Sequence, residues 1–189
     1  VYEDTLILFT SDHGEELCDH HMFRKSRPYQ GSIRIPLILS GNDRLLPGLT
    51  PGTVSHSLVE LRDVMPTLLD FVHTHIPDTL DGKSMLPLIE QPQKALREVL
   101  HGEHSYGEYS NHWLVTPQDK FIWYSETGTE QYFRLLDDPK ELHNEIDNPV
   151  CQNRICQLRD CLIQTLKNRP EGFSDGTKLI PGQPYPPYM

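Results

Sequence analysis

The residues best suited to chemistry lie in one stretch near the start of the 189-residue chain: Asp12-His13, then His20 and His21, then Lys25. A carboxylate and an imidazole side by side at a strand end can both reach one cation. The Asp oxygen suits a hard ion such as Ca²⁺ or Mg²⁺, and the imidazole also tolerates transition metals. Two ligands are too few for a closed site, and no second dense carboxylate pair stands out, so further ligands are expected from elsewhere. Asp-His-Gly alone is equally what a turn with an Asx hydrogen bond looks like, so the chemistry rests on the whole segment.

The flanking pattern supplies the elements that must position these groups. Residues 5–10 form a short apolar run rich in β-formers, read as a strand buried on both faces of a parallel sheet. It ends in Ser11-Asp12-His13-Gly14, at the carboxyl edge where open α/β sheets collect ligands. Residues 15–31 show little periodicity and read as a long functional loop. A second strand follows over 34–39, with Pro36 near its start. Apolar positions from Leu58 to Val72 recur at helical spacing, and Pro66 inside that pattern predicts a kink or a start nearer Asp63. Ser84 is placed to cap a short helix over 86–89. Beyond Glu90 come short β-like runs at 99–102, 113–116, 121–124 and 132–136, an antiparallel meander. A helix over 150–166 is expected to cover one face of it, and the Pro- and Gly-rich tail from 172 to 189 reads as extended. The fold class is α/β: a sheet core over 1–92, then an antiparallel-sheet subdomain with helix and tail over 93–189.

Composition narrows the partners. Hydrophobic residues at 37% allow a packed core, and 17 basic against 27 acidic residues give a net charge of −10. That argues against a nucleic-acid binder, whose affinity comes from neutralising phosphates, but not against a small anion held by a cation and one Lys. No apolar run reaches membrane-span length. Cys151, Cys156 and Cys161 recur every five residues on the expected helix, too far apart for neighbouring disulfides and unlike a CxxC metal pair. They read as thiols in or beside a core, which leans weakly towards a reducing, cytoplasmic compartment. The chain opens on Val1 with a strand almost at once, and is read as cut from something longer.

Taken together, Thr10-Ser11-Asp12-His13-Gly14-Glu15, Asp19-His20, Lys25 and Tyr29-Gln30-Gly31 leading into Arg34-Ile35-Pro36-Leu37-Ile38 resemble the sulfatase family of the alkaline-phosphatase-like superfamily. The resemblance extends through residues 61–70, 81–88 and 132–142, and covers most of residues 4–150. It implies the C-terminal part of an alkaline-phosphatase-like core and a metal-dependent, arylsulfatase-like hydrolysis of a sulfate monoester. It implies that Asp12 and His13 bind one divalent cation, most often Ca²⁺, with Mg²⁺ or Mn²⁺ as alternatives. It implies that Lys25 is catalytic, contacting the sulfate and neutralising charge on the leaving oxygen, and that His20 or His21 lies at the pocket rim as a substrate contact. The implied nucleophile is a formylglycine made within Cys/Ser-x-Pro/Ala-x-Arg. None of the four cysteines is followed by that pattern, so the nucleophile is expected outside this chain, and the chain alone is expected to be inactive. Two positions depart from the family pattern: Cys18 stands where Gly is usual, and Gln30 where Glu is common.

Other readings stay open at this level. A phosphonate monoester or phosphodiester hydrolase of the same superfamily fits the same residues, and so does a non-catalytic or partner-binding module built on the meander. His101 and Glu103 alternate onto one face of their strand and His104 onto the other, with Tyr106 and Tyr109 nearby, which favours a structural role over a second metal site or a substrate-specificity loop. Trp113, Trp123, Tyr124 and Phe133 read as core of the meander, and Asp137, Asp138 and Glu141 as a turn and a solvated face.

Overall fold

A computed structural model describes residues 2–184. Its elements in chain order are β1 (Ile7–Thr10), α1 (Gln30–Ile33), β2 (Leu37–Ser40), α2 (Val64–Phe71), α3 (Pro87–Glu90), β3 (Leu100–His104), β4 (Asn111–Val115), β5 (Asp119–Tyr124), β6 (Glu130–Arg134) and α4 (Gln152–Leu166). They fall into two compact units, one of Val1–Asp12 with Ile35–Leu100, the other of His13–Arg34 with His101–Met189. Among the described residues no helix is long and apolar enough to cross a membrane.

In the first unit, β1 and β2 pair antiparallel, with Ile7 opposite Ser40 and Thr10 opposite Leu37. This corrects the expected parallel arrangement. A parallel neighbour needs a crossover back to the starting end, whereas here the chain leaves at Thr10 and re-enters directly opposite it at Leu37. The two-sided burial expected of residues 5–10 is not met among the described residues, since Ile7 and Phe9 are exposed. α2 starts at Val64, so Pro66 falls in the first turn, where a missing N–H leaves no helical bond unmade. Its start is fixed by Asp63, which is fully buried. The Asp63 carboxylate accepts from the backbone N–H of Lys83 at 2.8 Å and of Glu60 at 2.9 Å, and from both Arg97 terminal nitrogens at 2.6 Å. Burial opposes its ionisation, but those donors outweigh burial and hold the carboxyl below its ordinary range. Ser84 does not cap α3, whose N-cap is Leu86. Its hydroxyl instead donates to Asp70 at 2.5 Å.

The second unit is built on the sheet β3-β4-β5-β6, each strand beside its chain neighbour, as the meander pattern predicts. Every residue of β5 is buried, which requires cover on both faces, and strand alternation sorts the two covers. Phe121 and Trp123 face α4, which contributes Ile155, Leu158, Leu162 and Leu166, all buried. Lys120, Ile122 and Tyr124 face the other way, where Tyr29 from the His13–Arg34 segment packs with Ile122, Tyr124 and Phe133. Arg154 on α4 meets Asp119 at 2.7 Å and Arg159 meets Glu130 at 2.6 Å, tying the helix to β5 and β6. The tail is not simply extended. Phe173 is fully buried, and the Ile180 N–H donates to the Phe173 carbonyl at 2.8 Å, closing a tight turn around Asp175. Residues 185–189, where the predicted extended tail ends, lie outside the described residues. All four cysteines are free; Cys151 is buried and Cys161 half-buried, while Cys18 and Cys156 are exposed rather than packed.

Candidate active site

The His13–Arg34 segment carries most of the expected site residues, and it is folded back on itself. The Gly14 N–H donates to the Ser32 carbonyl at 2.7 Å, Glu16 N–H to Arg24 O at 2.9 Å, and Cys18 N–H to Met22 O at 2.8 Å. The first of these crossings demands glycine on both sides. A Cβ at Gly14 would sit 2.0 Å from the Gly31 carbonyl oxygen, and one at Gly31 would sit 2.8 Å from Glu16 Oε2. The tip of the segment is strained: Leu17, Cys18, His20, His21 and Arg24 all have positive φ. For non-glycine residues this conformation costs about 1–2 kcal/mol each. Cys18, at φ 78°, occupies a left-handed position that Gly fills without that cost, which explains physically why Gly is usual there.

Strain of this size persists only where packing over-determines it, and here a buried polar network does so. Lys120, fully buried on β5, donates to the Pro28 carbonyl at 2.7 Å and pairs with Glu141 at 2.5 Å. Glu141 in turn accepts from the Gln30 N–H at 2.6 Å. Glu16, also buried, accepts from the Ser32 hydroxyl at 2.5 Å, and burial pushes its carboxyl up towards the neutral form. Burial works against the Lys120 ammonium and its pairing with Glu141 works for it, while Glu16 is pushed towards its neutral form. Glu141 is not on a solvated face, contrary to the sequence reading. It is only 2% exposed because the segment that covers it comes from the far end of the chain. Arg27 reinforces the clamp by stacking over Tyr109 at 4.6 Å and Tyr124 at 5.6 Å.

What this scaffold presents is a meeting of His13 and Lys25. The His13 ring contacts the Gly14 carbonyl through Nδ1 at 2.8 Å. With a proton on Nδ1, the lone pair lies on Nε2, and that nitrogen meets Lys25 Nζ. Asp12, exposed, precedes His13 in the chain and closes the first unit just beyond β1. Of the two rim candidates, His20 stacks on Tyr29 with ring centroids 4.1 Å apart, and His21 is exposed.

Sequence reasoning missed part of the surroundings. His104, on the same sheet face as Lys120, has its imidazole pushed down by burial and further by the nearby Lys25 charge. Its Nδ1 is buried without a hydrogen-bond partner among the described residues. Tyr106 lies 5.8 Å from the His104 ring and 6.2 Å from that of Tyr109, and both tyrosines are exposed. The only advance signal was the cluster His104, Tyr106, Tyr109 beyond one strand. Nothing local announced that Lys25 and Arg27 would join it.

Comparison with known proteins bears on what such a site does. Residues 18–168 match the family model described as N-sulphoglucosamine sulphohydrolase, C-terminal. The chain is 50% identical over 181 residues to an arylsulfatase of Clostridium perfringens, covering 96% of this chain and 37% of that protein. It is 33% identical over 155 residues to human arylsulfatase K, covering 76% of this chain and 28% of that protein. Among solved structures, it resembles one in complex with its substrate D-glucosamine-2-N,6-O-disulfate, with TM-score 0.80 and 24% identity over 89% of this chain and 36% of the other. It also resembles a phosphonate monoester hydrolase from Silicibacter pomeroyi, with TM-score 0.73 and 24% identity over 87% of this chain and 35% of the other. These structural likenesses establish a shared fold. The chain thus spans between about a quarter and two fifths of each of these relatives.

Proposed function

The chain belongs to the sulfatase family, and on that premise we propose that the whole protein hydrolyses a sulfate monoester at a site to which this chain contributes Asp12, His13 and Lys25. The observation that carries the reading is the convergence of His13 Nε2 and Lys25 Nζ on one point at the end of a strained, internally clamped loop. Asp12 and the His13 ring supply ligand atoms suited to a divalent cation, and the Lys25 ammonium beside them suits a bound sulfate. Asp12 and His13 would hold that cation, Ca²⁺ first, with Mg²⁺ or Mn²⁺ as alternatives. When bound, it supplies Lewis-acid polarisation of the sulfate oxygens. Lys25 contributes positive charge where negative charge grows on the ester oxygen as its bond to sulfur breaks. The nucleophile and remaining ligands are proposed to come from parts of the protein outside these 189 residues, and the exposed Ile7, Phe9 and Ile38 to pack there.

The leaving group is proposed to lie against His104, Tyr106 and Tyr109, whose exposed rings suit the face of a sugar or an aryl group. His104, held neutral beside Lys25, would act there as a hydrogen-bonding group and not as a second charge.

Cation content tests the ligand assignment. In the full-length protein, Asp12→Ala is expected to lose bound divalent cation on dialysis and to lose sulfate-ester turnover with it. Wild-type cation content in that variant would remove Asp12 from the site.

A further inference from the structure

On the opposite face of the sheet from Lys25, three side chains form a cluster that the proposed reaction does not use. His101 and Glu103 project from β3 towards His112 on β4. His101 Nε2 lies 3.2 Å from His112 Nδ1, and His112 Nδ1 lies 3.4 Å from Glu103 Oε2. One ligand atom from each residue fits within a set whose members are all within 4.8 Å of one another. We propose that His101, Glu103 and His112 form a second metal site, selective for a borderline transition-metal cation of the Zn²⁺ class, that fastens the edge strand β3 to β4.

The geometry carries this. Zinc bound tetrahedrally at about 2.0–2.1 Å from nitrogen or oxygen separates neighbouring ligand atoms by ~3.3 Å. Two separations within the set, 3.2 and 3.4 Å, bracket that value before any ion is present. Two imidazoles and one carboxylate are the three-ligand set that leaves zinc a fourth, open position. The burial gradient supplies an entry path: His112 is fully buried, His101 half-buried and Glu103 exposed. Two nitrogens among three donors favour Zn²⁺ over Ca²⁺ or Mg²⁺, which sets this cluster apart from the oxygen-seeking cation proposed at Asp12.

The surroundings support the set. The His112 ring is walled by Trp123, 5.8 Å away between centroids, and by Phe173 at 4.9 Å, which fixes its orientation. Arg169 contacts both Glu103 oxygens at 3.1 Å and also pairs with Glu171 at 2.5 Å. It opposes a cation by its charge, which Glu171 offsets, and it steers the Glu103 carboxylate towards the histidines as outer-shell partners of metal ligands do. β3 is an edge strand of the sheet, so a cross-strand clamp at this point would brace the strand that carries His104 on its other face.

The test uses full-length protein stripped by a chelator, then titrated with Co²⁺ in the presence of saturating Ca²⁺. The expected result is one equivalent of Co²⁺ with the intense visible absorption of tetrahedral coordination, displaced by Zn²⁺ and not by Ca²⁺. His101→Ala abolishes that absorption. Glu103→Gln, at an exposed position, weakens Zn²⁺ binding by at least about tenfold, the lower bound being what loss of an outer-shell partner alone costs. Both variants should unfold at the wild-type temperature when chelator is present, which separates ligand loss from misfolding. Absence of the tetrahedral absorption in the wild type, or its persistence in His101→Ala, would show that the three side chains form only a hydrogen-bonded chain and would overturn the proposal.

Discussion

Replacing Lys25 by alanine in the full-length protein is expected to lower kcat on a sulfate ester by about a hundredfold to a thousandfold. The bound divalent cation should be retained, since Lys25 is not a ligand. The expectation follows from placement. Lys25 Nζ meets His13 Nε2, so its charge sits beside the proposed cation and the oxygens that cation would hold. An ammonium so placed acts on charge that develops as the ester bond breaks, so the loss should appear in kcat more than in KM. Lys25→Arg should recover only part of the rate, because a planar fork cannot put its charge at the point a compact ammonium reaches. Steady-state kinetics with metal analysis on the same preparations makes the check. A Lys25→Ala variant with wild-type kcat would exclude the catalytic role, and one that lost its cation would recast Lys25 as part of the cation's support.

The largest stability effect is expected at Lys120. Lys120→Met removes the partner of a fully buried carboxylate and the donor to the Pro28 carbonyl in one step. Breaking a buried ion pair from one side costs about 3–5 kcal/mol, because the surviving charge is left unpaired in a low dielectric. Glu141 also accepts from the Gln30 N–H, so the damage reaches the His13–Arg34 segment, and both stability and sulfate-ester turnover should fall. The paired variant Lys120→Met with Glu141→Gln leaves no uncompensated charge and should regain most of the lost stability. Urea unfolding of the three proteins reads this directly. A single variant within about 1 kcal/mol of wild type would mean that the ammonium is not buried as described. Recovery of stability without turnover would assign Lys120 the narrower task of holding the loop in its strained shape.

The two predictions show where sequence was informative. Asp12, His13 and Lys25 could be singled out because the whole segment around them resembles a family pattern, and the meander because short β-like runs with turn residues state a sheet. The start of α2 at Val64 followed from Pro66, a local steric rule. Long-range partnerships were invisible. Glu141 reads as a solvated turn because its partners lie elsewhere in the chain: the Gln30 N–H is 111 positions away, and Lys120 sits beside Asp119 at the polar start of β5. The apolar run at Ile7–Thr10 read as two-sided burial in a parallel sheet. Composition records that a strand seeks cover, but not which neighbour supplies it or in which direction that neighbour runs. His104 and Tyr109 were missed as neighbours of Lys25 and Arg27 for the same reason: they come from β3 and the loop after it, and only the folded chain brings them to the His13–Arg34 segment.

The central claim is that this chain serves sulfate-ester hydrolysis, and substrate preference tests it most directly. The measurement is kcat/KM of the full-length, cation-loaded protein for an aryl sulfate against the matching aryl phosphonate monoester and phosphodiester. The account predicts release of sulfate with the sulfate ester preferred, and loss of that preference in Lys25→Ala. Turnover of the phosphonate or phosphodiester with no sulfate released would contradict it, and would place the same residues in the service of the phosphorus esters.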